Sequence, residues 1–360
     1  MGEARTGGEA ALSGVTAELD AALRHAAAQA PGSAAFAELL DSLHVHVGAG
    51  KLIRPRLVEL GWRLATAAPV PPSGRAAVDR LGAAFELLHT ALLVHDDVID
   101  RDVLRRGQPA VHASARHRLE ARGVPAAEAA HAGVAVALIA GDVLLTQAFR
   151  LAATCAADTA RAAEAAAVVF DAAAVTAAGE LEDVLLGLSR HTGEEPDPDR
   201  ILAMQRLKTA HYTVGAPLRA GALLAGADPG LARAMGEAGA DLGAAYQVID
   251  DVLGVFGDPG ETGKSADGDL REGKATVLTA HGRRIPAVRA LLDAGPATPA
   301  DIEAARRALE AAGAPSRRPA PGSTPSTSRP SSPTAPASAS RPCPWTRRSG
   351  RSSPTPAMPC

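Results

Sequence analysis

Two acidic clusters, His95-Asp96-Asp97-Val98-Ile99-Asp100 and Tyr246-Gln247-Val248-Ile249-Asp250-Asp251, stand in apolar, helix-forming sequence. Carboxylates are costly there, because Asp and Glu are rarely buried without a partner. Asp96 and Asp100 are one helical turn apart on one face, with Asp97 beside them. Like charges at that spacing repel unless a cation lies between them. For oxygen ligands with open positions the usual cation is magnesium, which keeps its remaining sites for water and phosphate oxygens. Two such clusters facing each other would hold a magnesium-diphosphate.

Basic residues at loops supply the complement. Gly50-Lys51-Leu52-Ile53-Arg54-Pro55 precedes a helix and places Lys51 and Arg54 near its start. Arg105-Arg106-Gly107 follows the first cluster, Lys208-Thr209 ends a mid-chain helix, and Gly263-Lys264 and Gly273-Lys274 follow the second cluster. Arginine forks bind phosphate bidentately, whereas lysines act as mobile point charges. His89, about two turns before Asp96, projects from the same helix face.

The elements that must hold these groups read as helices throughout. Apolar residues recur at threes and fours, with Gly, Pro or Asp clusters as breaks. The pattern predicts helices at 15–30, 34–47, 54–68, 73–102, 124–156, 160–189, 198–210, 213–225, 230–256, 273–293 and 299–312, with no strands. Loops are expected near 67–73, 105–112, 193–199 and 257–273. Residues 1–14 read as a flexible leader and 15–313 as one all-α domain. Hydrophobic residues make up 46% of the chain but aromatics only 2%, and alanine-rich sequence of that kind favours helix.

Residues 314–360 hold seven arginines, no acid, and no Leu, Ile, Val or Phe. Such a Pro/Ser/Arg-rich tail is expected to be disordered. It reads either as a basic tail or as the product of a shifted reading frame, which resequencing the 3′ end of the gene decides. The body before it carries 30 basic and 40 acidic residues, a poor footprint for nucleic acid. Charges interrupt the long apolar runs, so no transmembrane segment is expected, and the three cysteines form no disulfide framework. The expected location is cytoplasmic.

In combination, the motifs GKLIRP, HDDVIDRDVLRRGQP, GD at 141–142, KTA at 208–210, YQVIDDVLGVFGDPGETGK and DLREGK resemble the trans-isoprenyl diphosphate synthase (polyprenyl synthetase) family over roughly residues 35–285. Within that family the sequence resembles geranylgeranyl diphosphate synthases. The resemblance implies an isoprenoid-synthase-type all-α bundle around a central cavity, in a homodimer. It implies Mg2+-dependent head-to-tail condensation of isopentenyl diphosphate with an allylic diphosphate, with about three magnesium ions per site and Mn2+ as a possible substitute.

The family's roles fall on matching residues here. Asp96 and Asp100 would ligate two ions, supported by Asp97, and Asp250 a third, assisted by Asp251. Arg105, Lys208 and Lys264 would hold the allylic diphosphate with Thr209 and Gln247, and Lys274 lies in the last substrate-binding motif. Lys51, Arg54, His89 and Arg106 would hold isopentenyl diphosphate. Leu88, Ala91 and Leu92, below the first cluster, would set chain length. Because no aromatic blocks them, the expected product is C20.

Three departures from the family pattern stand out. Leu52 replaces an arginine, Gly254 stands where the second motif commonly has a third Asp, and the family's last helices have no counterpart after Gly313. Taken singly, Arg54 and Arg106 read as solvated loop charges and His89 as a core histidine; their ordered combination carries the functional reading. The alternatives are a catalytically inactive helical partner subunit and a class I terpene cyclase. The cyclase would have no use for Lys51, Arg54 and Arg106 at a second diphosphate.

Overall fold

Helices carry most of the described residues, and small side chains set how closely the helices approach. The computed structural model describes residues 3–188, 197–257, 275–294 and 298–313. Helices α1 (Glu3–Gln29), α2 (Ala34–Leu43), α3 (Ile53–Thr66) and α4 (Pro72–Ile99) come first. A hairpin of β1 (Leu104–Arg105) and β2 (Gln108–Pro109) follows, then α5 (Val111–Ala121), α6 (Ala126–Ala153) and α7 (Thr159–Gly187). Helix α8 (Pro198–Gln205) runs into a π-helical segment (Arg206–Gly215) and on into α9 (Ala216–Leu224). Helix α10 (Pro229–Phe256) precedes α11 (Val277–Gly282), α12 (Pro286–Ala294) and α13 (Pro299–Gly313).

Helix α4 is the axis of the bundle. It packs on α6, α3 and α1, while the π-helical segment packs between α10 and α7. Every residue from Leu81 to Ala91 is buried, the signature of a helix enclosed on all sides. Glu86, His89 and Thr90 are polar groups inside that enclosed stretch. Helices α3 and α9 cross so closely that a Cβ on Gly221 would lie 2.0 Å from the Val58 carbonyl oxygen. Such contact is open only to glycine, and it fixes the helix that carries Arg54. A smaller core of Val255, Val288, Leu292, Ile302 and Leu309 anchors the end of α10.

Helix starts near 160, 198 and 230 follow from chemistry visible in the sequence: Asp158, Asp197 and Asp228 each accept backbone N–H groups as N-caps, a preferred use of Asp. Helices α6 and α7 are long and apolar enough to cross a membrane by length and composition. Here they are bundle helices, α6 against α4 and α5, α7 against the π-helical segment and α9.

Several expectations need correction. Residues 3–14, expected within a leader, are helical and form the first turns of α1, where no proline interrupts them and alanines carry the helix onward. The strand-free reading misses the hairpin, whose register pairs Leu104 with Pro109 and Arg105 with Gln108. Its turn residues, Arg106 and Gly107, both have positive φ (52° and 74°), the geometry of a two-residue primed turn. The polar stretch after the expected 105–112 loop folds as α5, whose charged outer face hid its periodicity.

The helix expected over 273–293 is two helices, because Pro286 lacks the N–H needed to continue the first. The break expected between 210 and 213 is absent; the chain passes through it as π-helix. Residues 258–274, and with them Lys264 and Lys274, lie outside the described residues, as does the 314–360 tail.

Candidate active site

The two acidic clusters and the basic loops line a single cavity of about 1210 Å³. Asp96 and Asp100 reach it from α4, and Asp250 and Gln247 from α10. Lys51 and Arg54 enter from the start of α3, Arg105 and Arg106 from the hairpin, and Lys208 and Thr209 from the π-helical segment. His89 and Leu92 line it from α4, whereas Leu88 and Ala91 are fully buried in the core behind it. Asp97 does not line the cavity. It is buried behind Arg105, whose Nε donates to its Oδ1 at 2.6 Å.

Around the first cluster the charges form one network. Arg105 also pairs with Asp96 at 3.4 Å and Asp102 at 3.2 Å. Burial pushes the Asp97 carboxyl up to about 6 even though Arg105 opposes it. From the opposite side, the Lys208 ammonium lies 3.1 Å from Asp96, 3.1 Å from Glu180 and 2.6 Å from Asp183. Burial alone would lower its pKa, but Asp96, Asp183 and Glu180 outweigh burial and raise it above the ordinary lysine value. Burial raises the Glu180 carboxyl, against the pull of Lys208.

Glu180 and Asp183 are functional candidates that the sequence reading missed. Their signal was the one used for the first cluster: two carboxylates nearly one turn apart in the apolar run of α7. Ligand atoms of Asp96, Asp100 and Glu180 all lie within 4.8 Å of one another. That spacing, with oxygen donors alone, fits a hard divalent cation such as magnesium. The approach depends on Gly179, where a Cβ would lie 2.2 Å from the Lys208 backbone nitrogen. Gly179→Ala is therefore expected to cost about 1–3 kcal/mol of stability, as overpacking does. It should also lower Mg2+-dependent turnover about tenfold by displacing Lys208. Denaturant melts and initial rates test this, and wild-type values for both would remove the role given to Gly179.

The second cluster is held differently. Asp251 is buried and accepts from the Gln205 amide and from the Gln247 amide at 3.0 Å. Asp250, Asp251 and Gly254 all line the cavity.

On the basic side, Arg54 is buried, donates to the Thr213 hydroxyl at 2.9 Å and stacks over the Tyr212 ring at 4.8 Å. Tyr212, in turn, hydrogen-bonds His89 at 3.2 Å. Burial, then Arg54, Arg106 and Arg105, hold the His89 pKa well below its usual value. The ring offers the cavity a hydrogen-bonding group, already engaged with Tyr212. Arg106 lies beside Gly50, its Nη2 3.2 Å from where a Cβ would stand, which brings the hairpin to the Lys51 loop. Tyr212 and Thr213 escaped the sequence reading because an interrupted helix was expected there.

A family model described as polyprenyl synthetase matches residues 37–310. The chain belongs to the polyprenyl synthetase family. A geranylfarnesyl diphosphate synthase from Aeropyrum pernix is 34% identical over 70% of this chain and 72% of its own length. A geranylgeranyl diphosphate synthase from Mycobacterium tuberculosis is also 34% identical, over 65% of this chain and 62% of its own length. The chain thus spans a little under two thirds of that second relative. Geranylgeranyl pyrophosphate synthase from Corynebacterium glutamicum, solved with isoprenyl diphosphate and magnesium, superposes with a TM-score of 0.74. The two are 31% identical, and the match covers 85% of this chain and 86% of the other. This polyprenyl synthetase therefore has the all-α isoprenoid synthase fold, and its relatives are prenyltransferases.

Proposed function

We propose that this protein is a magnesium-dependent prenyltransferase that condenses isopentenyl diphosphate with an allylic diphosphate to an all-trans polyprenyl diphosphate. The carrying observation is that one cavity is lined by two acidic clusters and by two separate sets of basic residues. The acidic clusters suit a cation-bound diphosphate, and Lys51, Arg54 and Arg106 suit a second diphosphate without metal. A class I terpene cyclase has no need of that second site.

Asp96, Asp100 and Asp250 would hold the magnesium, with Glu180 in reach of the first pair; about three ions per site, with Mn2+ as substitute, follow the family pattern. When bound, the metal neutralises charge on the departing diphosphate. Lys208, Arg105, Thr209 and Gln247 orient the allylic diphosphate, and Lys264 and Lys274 are assigned to the same diphosphate chemistry from their motifs. His89, Lys51, Arg54 and Arg106 orient isopentenyl diphosphate. Preorganised charges aimed at a leaving group are usually the largest catalytic contribution. The buried Leu, Ala and Phe side chains of the enclosed α4 stretch would limit water near the allylic cation, which water would quench. The proton lost on condensation goes to the released diphosphate.

For product length we favour C20. Leu88, Ala91 and Leu92 present no aromatic group below Asp96, and relatives are named for geranylgeranyl and geranylfarnesyl products. Ala91→Phe is expected to shorten the product by at least one five-carbon unit, read by chromatography of the dephosphorylated alcohols. An unchanged product would remove Ala91 from chain-length control.

A cytoplasmic homodimer is the assembly we favour. Leu138 and Ile139 on α6 and Phe170 on α7 are exposed large apolar side chains, the kind of surface a second copy would cover. Incubation with labelled isopentenyl diphosphate and each allylic diphosphate, with and without Mg2+, tests the whole reading. Turnover without divalent metal would contradict it, and no turnover with any allylic partner would favour the inactive-subunit alternative.

A further inference from the structure

Gln205 is the last residue of α8, three positions before Lys208, and is only 5% exposed. It lines the cavity together with Asp250 and Asp251. Its Nε2 donates to Asp251 Oδ2 at 2.5 Å, and Gln247 Nε2 donates to Asp251 Oδ1 at 3.0 Å. Both oxygens of one buried carboxylate are therefore held by amides from two different helices. An ionised carboxylate only accepts hydrogen bonds, which decides the end of the Gln205 amide that faces it. The other end, Oε1, is buried without a hydrogen-bond partner.

That open oxygen argues against a role in stability alone. Buried polar atoms are nearly always satisfied, and one left open is less favourable than an apolar side chain of the same shape. What the glutamine gains in return is the contact to Asp251. The two amides also differ in what they can fix. Gln247 lies one turn before Asp251 on α10 and moves with it, so its hydrogen bond cannot set α10 against its neighbours. Gln205 stands on another helix. Its bond ties the second cluster to the chain that continues, as the π-helical segment, to Lys208 and Thr209. Lys208 in turn reaches Asp96 at 3.1 Å. One short stretch of backbone thus joins the second cluster to the first.

We propose that Gln205 is a positioning residue for the second acidic cluster: by holding Asp251 it sets where the α10 carboxylates meet a cation-bound diphosphate. This rests on the magnesium-diphosphate reading above. Gln205 touches no reacting atom and acts through Asp251.

The test uses Gln205→Leu, which keeps the bulk and removes the amide, with Asp251→Ala and the double variant, in the full-length chain. Melting temperature is followed against Mg2+ concentration with inorganic pyrophosphate held constant, which gives an apparent Kd for the ion. Steady-state rates are measured against Mg2+ and against isopentenyl diphosphate. Gln205→Leu is expected to raise the apparent Kd, and the Mg2+ needed for half-maximal rate, by about tenfold, as loss of a hydrogen-bond partner behind a metal site does. The isopentenyl diphosphate KM should stay within twofold of wild type. The double variant should hold Mg2+ no more weakly than Asp251→Ala alone, because the amide acts through that carboxylate.

An unchanged Mg2+ dependence in Gln205→Leu, whatever its melting temperature, would overturn the proposal and leave the glutamine a structural residue. Equal loss for isopentenyl diphosphate, or fully additive losses in the double variant, would overturn it too. If Gln205→Leu does not fold, Gln205→Asn replaces it, with the amide on a stem too short for the contact. Its apparent Kd for Mg2+ should then rise threefold or more, and a wild-type value would overturn the proposal. Wild-type protein whose melting temperature ignores Mg2+ at every pyrophosphate concentration would sink the magnesium reading itself. That failure is told apart because it is present before any substitution.

Discussion

Asp96→Ala is expected to lower prenyl transfer about a thousandfold or more at saturating Mg2+, roughly 4 kcal/mol of transition-state stabilisation. Asp96 is the shared member of the network. It belongs to the oxygen cluster with Asp100 and Glu180, and it pairs with both Lys208 and Arg105. One truncation therefore removes a proposed cation ligand and releases two basic groups from their positions. Glu182→Ala is the comparison. Glu182 sits on the same α7 as Glu180 but pairs with Arg200 at an exposed site, and exposed pairs contribute little. Rates from labelled isopentenyl diphosphate should separate the two variants by at least two orders of magnitude. An Asp96→Ala enzyme within tenfold of wild type would remove the first cluster from the mechanism.

Lys208→Ala should act first on stability, and in a way that metal reverses. The ammonium is the cation around which Asp96, Glu180 and Asp183 gather, with its side chain 19% exposed. Removing one partner of a buried charge cluster costs about 3–5 kcal/mol. The partial exposure lowers this to about 2 kcal/mol, because solvent screens the remaining carboxylates. In chelator the variant should melt several degrees below wild type. Mg2+ should raise its melting temperature by more than it raises that of wild type, because the cation no longer competes with an ammonium for Asp96. An equal Mg2+-induced rise in both proteins would show that lysine and metal do not share those oxygens. Turnover should also fall, since a group proposed to orient the allylic diphosphate is lost.

Much of the molecule was legible from the chain alone. Local forces fix the helices: alanine-rich periodicity sets their existence and Asp N-caps set several of their starts, so α2, α3, α4, α6, α7, α9 and α10 each fall near an expected span. The clusters at Asp96–Asp100 and Asp250–Asp251 were visible because charge in apolar sequence has an energetic cost at any position. What the sequence concealed was non-local or depended on backbone hydrogen-bond pattern. The Arg105–Gln108 hairpin is two residues per strand and rests on positive φ at Arg106 and Gly107. The π-helical turn rests on a shift of hydrogen bonding that side-chain periodicity does not record.

The chain by itself determined an all-helical body, two acidic clusters and the basic residues that answer them. Only the tertiary structure decided which of these meet. Gly179 lets α7 close on the π-helical segment, and that contact brings Glu180 and Asp183 to the Lys208 that also reaches Asp96. The same segment sets Tyr212 between Arg54 and His89. Composition and spacing fix the charge on each helix, but the distance between charges on different helices depends on how closely the backbones can approach.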